Sequence, residues 1–468
     1  MFKKILLFSL IFILYGCKNE MTNQTDEQPT QIKNELVNDT LILSMAIPKT
    51  FNPLQNNDES VDKILRLAFE PLIKFDEARY PVNNLVEQII FDENYNATVK
   101  LREDIFWSDG TNLDADDVIF SIEQIKLFES LYKLDDIISY KKKSPHELDI
   151  KFKDSGYVSI YNLNFPVIPK KIFENEISNP AQIITNGPYK FSSYSRMKDL
   201  TLEKNEKYFG IAPEFKNINV LIIPDKETNM SAFNQKIIDV IFTDSNEIRK
   251  FRNDSDKIFY TTNNLEFIFF NPTNNLFNIK PLHNMILNIL PLDKIKTEIY
   301  GGMLANSIFK TEIEKVNIEQ AKEIISEYVG SANLKILVNA ENSQRVKAAE
   351  LIKKTLADYG INSFVDKKNF DEYKIAIQNK NFDLLIGGFY PEKLFDYEIL
   401  FNLLDYHLKN FSQLKFALDE QEFNSEIKNL NNQMSQDAKI IILGQKKEIL
   451  LTNKKIRFEE SLYNFLCN

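Results

Sequence analysis

Three sets of residues in the 468-residue sequence could carry chemistry: a close acid pair, three histidines and two cysteines. Asp114 and Asp117 are spaced to share general acid–base work. They also stand directly before Val118, Ile119, Ile122 and Ile125. There, one aspartate caps a helix, and the other, three residues on, faces its positive end. The position predicts capping rather than catalysis. His146, His283 and His407 are far apart, and His146-Glu147 continues Leu-Asp-Ile, which excludes the HExxH zinc helix. The chain has only 12 glycines, well under the usual share of about 7%. No GxGxxG, GxxxxGK[ST] or GxSxG occurs, which removes the usual dinucleotide loop, P-loop and nucleophile elbow. No catalytic residue, metal ligand set or cofactor is expected.

Cys17 and Cys467 lie at opposite ends, so a framework of closely placed disulfides is not expected. Lys3 and Lys4 precede an uncharged apolar run from Ile5 to Gly16. That run is too short to span a bilayer and reads as a secretory signal over residues 1–16. Leu14-Tyr15-Gly16-Cys17 resembles a bacterial lipobox, which implies that Cys17 carries the diacylglycerol anchor, palmitate included. Residues 17–36 are polar and aperiodic, and are expected to be a flexible tether. Cys467 reads as a lone terminal thiol.

The elements behind these residues follow from periodicity. Leu41 to Ala46, Thr98 to Arg102, Thr201 to Glu203 and Ile218 to Ile223 read as strands. Val61, Ile64, Leu65 and Ala68 predict a helix over 60–69. Beyond residue 330 strands alternate with helices: a strand at 334–338, a helix at 343–359 ended by Gly360, a strand at 361–365, a helix at 370–379 and a buried strand at 383–386. Such alternation predicts parallel pairing. Hydrophobic residues make up 43% and charged residues 26%, enough for a sizeable core. The net charge of −10 argues against binding nucleic acid or a bare anionic lipid surface.

Several segments carry a family resemblance. Leu67 to Phe75 reads LAFEPLIKF; Ala97 to Arg102 reads ATVKLR and leads to FWSDGT at 106–111 and LDADDVIFS at 113–121. TNGPYKF follows at 185–191, then LEKN at 202–205 with YFG at 208–210, FFN at 269–271, the helix Arg345–Gly360, and FDLLIGGF at 382–389. Together, in this order, they resemble the family 5 extracytoplasmic solute-binding proteins of ABC transporters for peptides, oligopeptides or nickel. Some positions differ from the family pattern: Phe389 stands for a tryptophan, Tyr390-Pro391-Glu392 follows, and Leu282-His283-Asn284-Met285 lacks the usual arginine.

The resemblance implies an α/β protein of the bilobal class II periplasmic-binding-protein fold, with an extra α/β subdomain in the amino-terminal lobe. Lobe I would take residues 37–58, the extra subdomain 59–175 and lobe I again 176–264. Lobe II would take 265–446, and the chain would return to lobe I over 447–468. A peptide would lie extended between the lobes. Ligand contacts are expected at Phe51, Asn52, Asn271, Gly387, Gly388, Phe389, Tyr390 and Glu392. Glu392 would meet a peptide amino group, or else be a solvated loop acid. Gly387-Gly388 would let a ligand backbone approach, or make a tight bend. Asn186-Gly187 before Pro188 would be a hinge, or a plain turn. The expected function is non-enzymatic: a monomeric lipoprotein outside the cytoplasm, bound to the bilayer by its anchor, capturing peptides for a membrane permease. The alternatives are a nickel chelate, haem or oligosaccharide as ligand, or a sensory or surface lipoprotein that has lost transport.

Overall fold

The computed structural model describes residues 39–455, except 77–78, 129, 131, 176–178, 244–246, 252–253, 329–332, 392–393 and 395. The expected signal, the tether, Cys17, Cys467 and Glu392 lie outside the described residues. The chain enters through β1 (Thr40–Met45), whose Leu41, Leu43 and Met45 are buried on one face, as the two-residue strand period requires. The helix predicted over 60–69 spans Glu59–Leu65 and is capped by the Asp58 carboxylate. It ends early for a tertiary reason. The carbonyls of Leu67 and Ala68 accept hydrogen bonds from the amides of Tyr189 and Gly187, so strand-like pairing wins over helical periodicity.

β2 (Ile73–Phe75) and β3 (Pro81–Asn83) form a small hairpin. β4 (Val86–Phe91), β5 (Asn96–Leu101), β6 (Ile137–Ser144) and β7 (Glu147–Phe152) form an antiparallel sheet in the order β4-β5-β7-β6. The helix Ala115–Leu127 lies in the connection from β5 to β6. Its capping box joins Asp114 and Asp117. Asp117 also accepts from the Trp107 indole at 3.0 Å and from the Lys170 amide at 2.9 Å. The acid pair is therefore a structural joint, and burial pushes the Asp117 pKa up. β8 (Tyr189–Ser195), β9 (Asp199–Lys204) and β10 (Asn217–Ile222) complete a second sheet, β1-β10-β9-β8, in which β1 and β10 are parallel.

The third sheet is built from β11 (Val240–Thr243), β12 (Asp256–Phe270), β13 (Leu304–Ala305), β14 (Asn333–Asn339), β15 (Asn362–Lys368), β16 (Leu384–Phe389) and β17 (Ile440–Thr452). Its order is β11-β17-β12-β16-β14-β15, with β13 on β17. β14 runs parallel to β15 and β16, and helices Ser343–Asp358 and Phe370–Gln378 supply the crossovers. β16 starts at Leu384 rather than Asp383. The Asp383 carboxylate instead accepts from the Lys335 amide and the Asn274 side chain, both at 2.7 Å.

β12 and β17 pair from Asp256–Thr452 to Phe269–Ile440, with a break in register between Thr261 and Leu265. Tyr260 and Leu450 belong to the core under the amino-terminal sheets. Leu265, Phe267, Phe269, Ile440 and Ile442 belong to a core of the second part. Both strands therefore pass from one core to the other.

Candidate functional site

At the carboxyl end of β16 stand Phe389 and Tyr390. The Phe389 ring lies 6.2 Å from that of Tyr397, and Tyr390 is 57% exposed. Two arginines from the amino-terminal half face this place. Arg66 follows the first helix and bonds Asp62 at 2.7 Å; Arg79 sits in the β2–β3 turn. The Tyr390 phenol lies in the field of both. The Arg79 guanidinium lies 4.5 Å from the Phe75 ring centroid. Phe75 stacks on Tyr161 at 5.3 Å, and Tyr161 meets Phe423 of the second part at 6.0 Å. Tyr80 also packs against the second core. A cavity of about 240 Å³ opens beside Tyr161, between segments at 135–162 and Leu394 and Lys415. The result is a cluster of aromatic rings from both parts of the chain, with two guanidinium groups beside it, and the nearby cavity carries Asp135, Asp136 and Asp154 on its wall.

Electrostatics follow from this enclosure. Burial first, then the neighbouring Arg66, lowers the Arg79 pKa. Burial raises Tyr161 well above the usual phenol range and Tyr397 to about 12. The phenols therefore stay protonated near neutral pH and serve as stacking surfaces and neutral hydrogen-bonding groups. Such a site can hold a ligand; nothing in it pairs a nucleophile with a base. Among the described residues no group of three or more His, Cys, Asp or Glu is placed to hold a metal.

Of the residues predicted to bind ligand, Phe389 and Tyr390 lie at this aromatic cluster. Gly387 and Gly388 do not offer the open backbone that was expected. β16 is paired on both edges, and a Cβ at Gly387 would sit 2.5 Å from the Phe267 ring. The space above Gly388 is filled by the Arg345 guanidinium. That guanidinium binds Glu266 through two bonds of 2.8 and 2.9 Å, and the Tyr300 hydroxyl adds a third at 2.8 Å. The two glycines make room for the neighbouring side chains of Phe267 and Arg345.

Asn271 departs from expectation more completely. Its amide donates to the carbonyls of Lys380 and Phe382, and its oxygen accepts from the Thr273 amide and hydroxyl. Two donors and two acceptor sites are then used, so nothing remains for a ligand. Asn186 and Gly187, expected as a hinge or a plain turn, are packed inside the amino-terminal half. Asn186 is fully buried and accepts from the Glu70 amide at 2.9 Å. A Cβ at Gly187 would meet the Ala68 backbone at 2.7 Å. They are locked inside the amino-terminal half, while β12 and β17 make the passage between halves. Phe51 and Asn52 line a separate cavity of about 470 Å³, with Lys49, Gln55 and Arg196 among its walls. Asn52 also closes its own turn by accepting from the Leu54 amide. Arg66, Arg79, Tyr161 and Tyr397 escaped the sequence reading, because no local pattern brings them together.

Comparison with known proteins bears on this geometry. Residues 81–407 match the middle part of the bacterial extracellular solute-binding proteins, family 5. The chain belongs to that family. The family is one of solute-binding proteins, not of enzymes. The chain is 26% identical over 268 residues to the oligopeptide-binding protein AppA of Bacillus subtilis, covering 53% of this chain and 49% of AppA. It is 25% identical over 187 residues to the nickel-binding periplasmic protein of Escherichia coli, covering 38% of this chain and 36% of that protein. The match thus spans half or less of these relatives' length. The crystal structure of CtaP, an ABC transporter substrate-binding protein of Listeria monocytogenes, superposes with a TM-score of 0.65 at 21% identity, covering 88% of this chain and 94% of CtaP. The fold of this family 5 member is accordingly the α/β periplasmic-binding-protein fold.

Proposed function

We propose that this family 5 protein is the ligand-capturing component of an ABC importer, holding peptides between its lobes for delivery to a membrane permease. The observation that carries the reading is the aromatic cleft at the end of β16, faced by Arg66 and Arg79 across the lobes. Similarity to a protein named oligopeptide-binding supports peptides as the class. The division into lobe I, with its extra subdomain, and lobe II at residues 264–265 and 446–447 belongs to the same proposal, as does a monomeric working state. So does a lipid anchor at Cys17, supported by the lipobox-like Leu14 to Cys17, which places the protein outside the cytoplasm on a membrane. The deciding experiment is mass spectrometry of what co-purifies, followed by calorimetry with a mixed short-peptide library. Peptides should be found and should bind; a cleft that holds none and binds none overturns the peptide reading. For the anchor, Cys17→Ala should abolish palmitate labelling, and unchanged labelling would remove the lipoprotein assignment. A nickel chelate is the second reading, favoured by the similarity to the nickel-binding periplasmic protein.

A further inference from the structure

The cavity of about 470 Å³ beside Phe51 stands apart from the aromatic cluster at the end of β16, since its described wall residues all lie between Pro48 and Arg196. Its volume falls within the range of small-molecule sites, about 300–1,000 Å³. The floor is aromatic. Phe51 meets Tyr194 edge to face at 5.0 Å and Phe191 at 5.7 Å, and Phe173 packs on Phe69 at 6.2 Å. Phe69 and Phe191 are buried, whereas Phe51, Phe173 and Tyr194 are only partly covered. The core thus holds these three rings from behind and leaves them facing the cavity they line. Phe128, 44% exposed at the end of the helix Ala115–Leu127, adds a fourth ring.

The polar part of the wall is equally distinct. Lys49 and Arg196 both stand on it, in a chain whose net charge is −10. The side-chain amides of Gln55 and Gln124, also on the wall, make no hydrogen bond to a described residue. The backbone under these groups is fixed. The Thr50 hydroxyl accepts from the Asn52 amide and the Asn52 side chain from the Leu54 amide, which sets the loop carrying Lys49 and Phe51. Arg196 sits in the β8–β9 turn, closed by the Lys198 amide on the Ser195 carbonyl. Aromatic surface left in water and half-buried amides without partners both gain from a bound molecule.

We propose that this cavity is a second ligand site, for a small aromatic carboxylate. Its ring system would lie against Phe51 and Tyr194 in the offset or edge-on arrangements that ring quadrupoles favour. The Arg196 guanidinium fork matches a carboxylate, with Lys49 as the second cation, and the two glutamine amides can donate or accept. The inference goes beyond peptide capture and does not depend on it.

The test titrates the full chain with 2-naphthoate and with its neutral analogue 2-naphthamide by calorimetry. Wild type should bind the acid about three- to tenfold more tightly than the amide, as one or two solvent-screened charge contacts give, and high salt should narrow the gap. Arg196→Gln with Lys49→Gln, both at exposed positions, should erase the preference. Phe128→Ala should weaken both probes severalfold, and Gln124→Trp, which fills the cavity, should abolish both at an unchanged melting temperature. Phe370→Ala removes a ring that is 50% exposed on the distant helix Phe370–Gln378 and should change nothing. The site is overturned if wild type does not bind 2-naphthoate, or if the preference survives the double glutamine variant. It is also overturned if Phe370→Ala weakens binding as much as Phe128→Ala does, which would show adsorption to exposed rings in general.

Discussion

Single side chains in this protein act mostly as joints. Trp107 is 2% exposed and donates to the acid that also closes a helix cap. Trp107→Ala should therefore cost about 3–5 kcal/mol, the range for truncating a large buried aromatic, as read from urea melts. Ligand binding lost at unchanged stability would instead make it a site residue. His283 stands where the family pattern has an arginine. It is buried edge-on to Phe270 at 4.9 Å, and its Nε2 faces the carbonyls of Asp437 and Ala438 at the end of the helix Glu420–Asp437. Burial lowers its pKa from 6.5 to about 4, against the opposing effect of those carbonyls. The unfolded chain then binds a proton that the folded chain refuses between those values. Stability should be full above pH 6.5 and fall by about 1.4 kcal/mol per pH unit down to about 4. His283→Gln should lose this one-proton component, so the difference between the two stability–pH curves measures it. Parallel curves would contradict the buried neutral imidazole.

At the scale of elements, β16 shows how a strand is fitted from both sides. Its glycines admit Phe267 and Arg345, and Arg345 is pinned by Glu266, itself 2% exposed. Gly388→Ala would drive the guanidinium off Glu266. Breaking a buried pair on one side costs about 3–5 kcal/mol, so the variant should unfold at clearly lower urea. With Arg345→Ala already present the pair is gone, and adding Gly388→Ala should change little. Additive losses in that cycle would show that the guanidinium does not occupy the glycine's space. The β2–β3 hairpin is the complementary case, since its three-residue strands serve to hold the turn that carries Arg79.

At the scale of the whole molecule, the two parts of the chain are linked by more than β12 and β17. The Gly156 amide donates to the Lys415 carbonyl and the Tyr157 amide to that of Ala417, both at 2.7 Å. A Cβ at Gly156 would overlap the Ala417 carbonyl, and Val158 is already part of a core of the second part. The segment at Gly156 and Tyr157 is thus joined through its backbone to the segment at Lys415 and Ala417. Gly156→Val should separate these backbones, lower stability by about 1–3 kcal/mol as overpacking does, and raise the radius of gyration in X-ray scattering. Unchanged scattering and stability would mean that the contact is not part of the solution structure.

The sequence alone determined what depends on neighbours in the chain. The capped helix after Asp114, the parallel strands and helices beyond residue 330, and the family were legible, because caps, periodicity and ordered motifs are local or linear properties. The aromatic end of β16, at Phe389 and Tyr390, was legible for the same reason. The tertiary structure decided which glycines and asparagines were free. Gly187, Gly388 and Asn271 look like flexible or ligand-binding residues in sequence, yet each is used up by a partner more than 40 residues away: Ala68, Arg345 and Phe382. Arg79 is the reverse. Nothing near it in sequence marks it, and only folding sets its guanidinium on the Phe75 ring, in the field of Arg66 and the Tyr161 phenol.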